Sequence, residues 1–136
     1  MPRLSRREDW PERLAEEIGA AQERPFSFGE HDCCAFAARC VRAMTGHDFM
    51  AEFASYGTQE QADAILAGNG GVQGILSHCL GEPIPVAFAR RGDILITTTP
   101  QGDAAGVCID HRAAFPTLRG LVYVRVLACL DAWEVG

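Results

Sequence analysis

The stretch FSFGEHDCCAF, residues 26–36, places two adjacent cysteines at the start of a predicted helix. Asp32 is a good N-cap residue, because its carboxylate can accept a hydrogen bond from a backbone N–H group of the first turn. Gly46 is typical of a helix end. Between them, apolar residues recur at helical spacing, at Ala37, Cys40, Val41 and Met44. We therefore predict a helix over residues 31–46 that carries the cysteines in its first turn.

Helical patterns also occupy the rest of the first half of the chain. Residues 1–25 form an N-terminal helical segment, in which an amphipathic helix runs from residue 10 to about residue 22, with Asp9 as its N-cap. A third helix is predicted after Thr58, which forms a plausible capping pair with Gln61. A fourth, short helix follows and ends before the segment EPIP.

The pattern changes to strands over residues 92–126. Three short runs there are rich in β-branched residues, DILITTT (93–99), AGVCI (105–109) and LVYVRV (121–126). Two segments between them are predicted turns, QGD (101–103) and DHR (110–112). The tail LACLDAWEV fits either a last strand or a short helix. Helices followed by strands indicate an α+β fold, in which N-terminal helices pack on a small antiparallel sheet.

Composition and charge exclude several functional classes. The chain has 136 residues, of which 48% are hydrophobic and 22% charged, so we predict a single domain, residues 1–136. Its net charge of −6 argues against a nucleic-acid partner. The basic cluster of Arg3, Arg6 and Arg7 is offset by the acidic residues that follow it. No apolar run approaches the ~20 residues of a membrane span, and no secretory signal is evident, so we expect synthesis in the cytosol and reduced cysteines.

Cys33 can be interpreted in two ways from its position alone. In the first turn of a helix, unpaired backbone N–H groups and the helix dipole lower the pKa of a thiol and favour a nucleophilic thiolate. The neighbouring Asp32 carboxylate opposes this effect. The other interpretation is a small buried apolar side chain, which is the commoner state of a free cysteine. We expect core positions for the remaining cysteines, Cys34, Cys40, Cys79, Cys108 and Cys129.

A metal centre is a weaker alternative. The chain contains enough cysteine and histidine side chains, but it lacks the C-x-x-C and H-x(3–5)-H spacings that let one element present two ligands. We therefore predict no metal site and no cofactor, and a metal or iron–sulfur module remains the least favoured hypothesis.

The cysteine motif resembles the nucleophile motif of the NlpC-type cell-wall peptidases, which are papain-like cysteine hydrolases. Members of that superfamily show an aromatic-glycine pair, then Asp-Cys-Ser-Gly-Phe at a helix start. Here Phe28 and Gly29 match the pair, Asp32 and Cys33 match the nucleophile positions, and Phe36 matches the packing aromatic residue. The resemblance implies a papain-like NlpC-type fold with Cys33 as the nucleophile.

Two later segments resemble the first strands of the same superfamily. RRGDILI (90–96) resembles its first strand and AAGVCID (104–110) its second, which normally opens with the catalytic histidine. Alignment through Gly106 puts Ala104 at the position of that base. An alanine cannot accept a proton, so the nucleophile loses its activating partner. The third polar position of the family falls near a residue that is also apolar, Ala114 or Phe115.

A hydrolase would therefore need a substitute base, and two histidines are candidates. His31 is close to Cys33 in sequence. His111 lies seven residues beyond Ala104, which along a strand is about 23 Å, so we expect it in an exposed turn at the opposite end. We interpret the remaining histidines as surface or structural residues, namely His47 and His78.

The layout of the chain also resembles small proteins encoded among the tail genes of phages and prophages. This resemblance implies a structural or assembly component of the tail-tip region, built on an inactive cysteine-peptidase-like fold. Its partners would be other tail proteins, and its location the virion. The alternative is an active cysteine amidase or peptidase that cleaves peptidoglycan peptides with Cys33 as nucleophile, and peptidoglycan would then be its partner.

Overall fold

The computed structural model describes residues 4–136. Helices occupy the first part of the described chain: α1 (Trp10–Glu23), α2 (Cys33–Thr45), α3 (Gln59–Gly68) and α4 (Gly71–Leu80). Strands follow: β1 (Ile94–Thr99), β2 (Gly102–Cys108), β3 (Arg112–Thr117), β4 (Gly120–Arg125) and β5 (Asp131–Trp133). Single turns of 3-10 helix lie at Phe49–Glu52, Val86–Phe88 and Val126–Ala128. The strands form one antiparallel sheet in the order β4-β3-β2-β1-β5, which confirms the α+β class.

The cysteine helix begins and ends as its sequence predicts. The Asp32 carboxylate accepts the Ala35 backbone N–H at the start of α2. Gly46 ends the helix in the left-handed conformation, with φ of 83°. The capping pair of α3 is also confirmed, because Thr58 accepts the N–H of Gln61.

Asp9 is the N-cap residue of α1, as predicted, but it does not cap the helix through its side chain. Its backbone has ψ of 23° rather than the extended value of a capping residue. The carboxylate instead accepts a hydrogen bond from Arg13, one turn further along the exposed face of the helix, at 2.8 Å.

Both faces of the sheet are buried. The face toward the helices carries Ile94, Ile96, Ala105, Val107, Ala114 and Trp133. The opposite face carries Leu95, Cys108, Ala113, Phe115 and Ala132, beneath the segments that contain Val86 and Val126. Because side chains alternate along a strand, the apolar run of β1 serves both layers. Among residues 4–136, no helix has the length and apolar character needed to cross a membrane.

The two predicted turns are shorter in the structure, and the tail, for which the sequence fits two alternatives, contains both a turn and a strand. Gly102 and Asp103 belong to β2, where they pair with the end of β1, so the turn is shorter than QGD. Arg112 already belongs to β3. The tail forms both a 3-10 turn and the short strand β5, in which Trp133 pairs with Ile94.

The N-terminal segment is held by a buried ion pair. Arg3 lies outside the described residues, but Arg6 reaches Asp93, with 2.9 Å between Nη2 and Oδ1. Arg6 also donates to the backbone carbonyls of Val135 and Arg91, each at 2.6 Å. The ion pair of Arg6 is therefore with a distant carboxylate at the start of β1.

Candidate active site

Cys33 is the first residue of α2 and lies where this helix meets the sheet. Its side chain is half-buried and packs against the main core. The backbone N–H groups of Cys34 and of Ala105, on β2, are directed at its sulfur. The helix start and the middle of the sheet therefore both contribute donors that favour a thiolate at this position.

The surroundings of Cys33 lower the pKa of its thiol. The largest cause is a hydrogen bond from the Cys34 thiol, and the N–H groups of Ala105 and Cys34 act in the same direction. Burial and the Asp32 carboxylate act against it. The same thiol pair has the opposite effect on Cys34, whose pKa is raised well above its ordinary value by the Cys33 sulfur and by burial.

Asp32 has a structural role beside the nucleophile. One carboxylate oxygen caps α2, and the other accepts the Gly29 N–H at 2.8 Å and the Tyr56 hydroxyl at 2.5 Å. Burial, and then the bond to Asp32, raise the pKa of Tyr56. The Asp32 carboxylate thus ties the start of α2 to the loop that precedes it and to the segment around Tyr56. Sequence patterns did not single out Tyr56 for this site, since it lies 24 residues from its partner.

The residue on β2 that faces the cysteine is Ala105. Ala105 is fully buried among the core residues between sheet and helices. Ala104, which the alignment through Gly106 placed at the base position, packs on the other face of the sheet. Neighbouring residues along a strand face opposite sides of the sheet, so Ala105, and not Ala104, is directed toward the helices. Either residue is an alanine, and neither can accept a proton.

The two residues that the resemblance places near a third polar position are apolar. Ala114 belongs to the core on the helix side of the sheet and Phe115 to the core on its other side. Neither can orient an imidazole. The strands near Cys33 therefore present main-chain groups and small apolar side chains to the sulfur.

His31 is buried but occupies different surroundings. Its ring is 2% exposed and packs edge-on against Phe36, with 5.9 Å between the ring centres. Burial lowers the pKa of His31, and the charges of Arg24 and Arg39 add to this effect. Its Nδ1 atom is buried and has no hydrogen-bond partner among residues 4–136. Burial and the two arginine charges thus favour the neutral imidazole, and no hydrogen bond from His31 to Cys33 is found in the described chain.

The remaining histidines are exposed, as expected. His111 lies in the turn between β2 and β3, with its Nδ1 atom 3.3 Å from an Asp110 carboxylate oxygen. His78 lies 3.5 Å from Glu52 on the surface, and His47 follows the end of α2. Within residues 4–136, no hydrogen bond joins either His31 or His111 to the candidate nucleophile.

The other cysteines are buried and form no disulfide, as all six are free. Burial raises the pKa of Cys40, of Cys79 to about 12, and of Cys108 to about 11. Among residues 4–136, no three histidine, cysteine or acidic side chains gather closely enough to hold a metal ion. The hypothesis of a metal or iron–sulfur module thus gains no support from the described part of the chain.

The fold and the site define an α+β domain with a cysteine at a helix start, set against the second strand of an antiparallel sheet. The chain belongs to the family described as a domain of unknown function (DUF6950), which it matches over residues 5–135. A comparison with curated proteins found no match.

Cys33 is expected to be the cysteine that iodoacetamide modifies first. It is the only one of the six that is not buried, and its pKa is lowered while the pKa values of the others are raised. Peptide mass spectrometry after brief labelling would identify the site. The pH midpoint of the rate should lie below about 8.5, the value of a free thiol.

A pair of variants at Cys34 tests the cause of this shift. Cys34→Ala removes the thiol that donates to Cys33 and should move the midpoint upward, whereas Cys34→Ser retains a donor and should move it less. First labelling at a buried cysteine, or a Cys33 midpoint at or above about 8.5, would contradict the assignment.

Proposed function

We propose that this protein is a structural or assembly component of a phage or prophage tail, in the tail-tip region, built on an NlpC-type papain-like fold without peptidase activity. One observation carries the proposal. Where a papain-like enzyme needs an imidazole on the second strand, this chain has Ala105, whose backbone N–H lies against the Cys33 sulfur.

The chemistry of acyl transfer explains why this replacement matters. A cysteine peptidase needs a thiolate, a group that protonates the departing amine, and a base that activates water for deacylation. The helix start and its N–H groups can supply the first requirement at Cys33. An alanine at the strand position supplies neither of the others, and His31 packs against Phe36 without a hydrogen bond to Cys33 in the described chain.

The charge of the chain supports protein partners rather than nucleic acid. A net charge of −6 repels a phosphate backbone, and the partners that we propose are therefore other tail proteins. The corresponding location is the virion, after synthesis in the host cytoplasm.

Purified protein is expected to release no product from peptidoglycan-derived peptides above the level of a Cys33→Ala variant. The reason is that the site has no proton acceptor beside Cys33 in the described chain. Chromatography of the peptides after incubation would measure the amount of product. Co-expression with the tail proteins of the same phage or prophage should yield a stable complex by size-exclusion chromatography, and Cys33→Ala should assemble equally well.

The two arms of this experiment separate the hypotheses. Hydrolysis that depends on Cys33 would establish the alternative, an active amidase or peptidase, which is favoured by the lowered pKa of the Cys33 thiol. Failure of both forms to join any tail protein would overturn the assembly role.

A further inference from the structure

A polar cleft lies beside the cysteine helix, on the face that is turned away from the sheet. It has a volume of about 390 Å³, and its walls are α2 and the segment of residues 48–56. This volume lies within the range of small-ligand sites, about 300–1,000 Å³. Neither Cys33 nor Ala105 lines it, but Gly29 and Tyr56, which bind Asp32, do, so the cleft adjoins the candidate active site without containing the cysteine.

Two arginines of α2 line this cleft. Arg39 and Arg42 are three residues apart, which places them on the same side of the helix, with Ala35 and Ala38 as their small neighbours. Arg42 is exposed, and Arg39 is half-buried beside it. Two planar guanidinium groups on one wall are suited to binding an oxyanion through paired hydrogen bonds.

These arginines have no acidic partner in the described chain. Between residues 4 and 136, the arginine–carboxylate pairs are Arg6–Asp93, Arg13–Asp9, Arg24–Glu17 and Arg90–Glu134. In addition, the Nη1 atom of Arg39 is buried and has no hydrogen-bond partner among residues 4–136. A buried charged donor without an acceptor is costly, and such a group is a recognised sign of a binding position.

The charges of the cleft favour an anion with a single negative charge. Asp48 also lines it, and its Oδ1 atom is committed to the N–H of Met50 at 3.0 Å. Two guanidinium groups and one carboxylate leave a surplus of one positive charge in the cleft. This surplus matches a carboxylate better than a phosphate, which carries up to two negative charges near neutral pH.

We propose that the cleft between α2 and residues 48–56 binds a carboxylate group of the kind found at a peptide C-terminus, with Arg39 and Arg42 as its ligands. Ser55 provides a polar group on the opposite wall, and the half-buried Phe53 provides an apolar surface for the side chain beside the carboxylate. This site would allow the domain to hold the end of a partner chain, whether or not Cys33 has any activity.

Acetyl-dialanine and its C-terminal amide are suitable probes, because they differ only in the carboxylate. Titration followed by backbone amide NMR should show the acid, and not the amide, shifting resonances of residues 48–56 and of α2. Arg42→Gln should weaken binding of the acid about tenfold or more, since hydrogen bonds between charged groups are the strong ones. Arg39→Gln should do the same, and the exposed Arg42 variant retains the test if the Arg39 variant fails to fold.

The matched control is Arg119→Gln, which removes the same charge from the exposed turn between β3 and β4. It should leave the affinity unchanged. Equal binding of acid and amide, tighter binding of inorganic phosphate, equal weakening by Arg119→Gln, or no binding of the acid up to about 10 mM would each overturn the proposal.

Discussion

Replacing Gly29 with alanine is expected to destabilise the protein by about 3 kcal/mol or more. Gly29 has φ of 86°, in the left-handed region that costs other residues roughly 1–2 kcal/mol. A Cβ atom built on it would lie 1.9 Å from the Tyr56 carbonyl oxygen, which is backbone and has no flexible end to yield. The added methyl group would push apart the loop that Asp32 holds through the Gly29 N–H and the Tyr56 hydroxyl.

Gly120→Ala separates the two contributions to this effect. Gly120 also has a positive φ, of 104°, but a Cβ atom there would meet nothing within 4 Å. Gly120→Ala should therefore lower the stability of the protein only by the cost of the left-handed backbone conformation, about 1–2 kcal/mol. Urea unfolding of both variants would measure the difference. Equal destabilisation would show that the contact between Gly29 and Tyr56 contributes nothing.

The local features of the cysteine helix could be predicted because their causes are close in sequence. The Asp32 cap and the Gly46 end lie within one turn of the residues that they stabilise, so the limits of α2 follow from composition. The same holds for the capping pair at Thr58. The helix that carries the candidate nucleophile could thus be predicted from sequence, whereas the half-burial of Cys33 could not.

Features that depend on distant residues could not be predicted in this way. The three-residue strand β5 exists because Trp133 pairs with Ile94, and so short a run has no reliable pattern of its own. Tyr56 belongs to the site only because the fold brings its hydroxyl to Asp32. The choice between Ala104 and Ala105 depended on strand register, which a short motif around a glycine does not determine.

Asp93→Asn is expected to cost about 3–5 kcal/mol of stability, the range observed when one partner of a buried ion pair is removed. Asp93 is fully buried, and its carboxylate accepts hydrogen bonds from Arg6, from the N–H of Arg90 and from the N–H of Val135. It therefore joins the N-terminal segment, the start of β1 and the C-terminus. The variant would leave the Arg6 guanidinium, which is 11% exposed, without its counter-charge.

The exposed pair Asp9–Arg13 provides a matched control for this prediction. Its atoms are 2.8 Å apart, about as close as those of Arg6 and Asp93, but both side chains are roughly half exposed. Asp9→Asn should change stability by no more than about 0.5 kcal/mol, because water screens such pairs and solvates the partner that remains. Thermal and urea unfolding of both variants would give the comparison. If both variants lose a similar, small amount of stability, Asp93 does not hold the N-terminal segment to the C-terminus. A large loss of stability for Asp93→Asn alone would show that the burial of this ion pair, and not the distance between its atoms, determines its contribution.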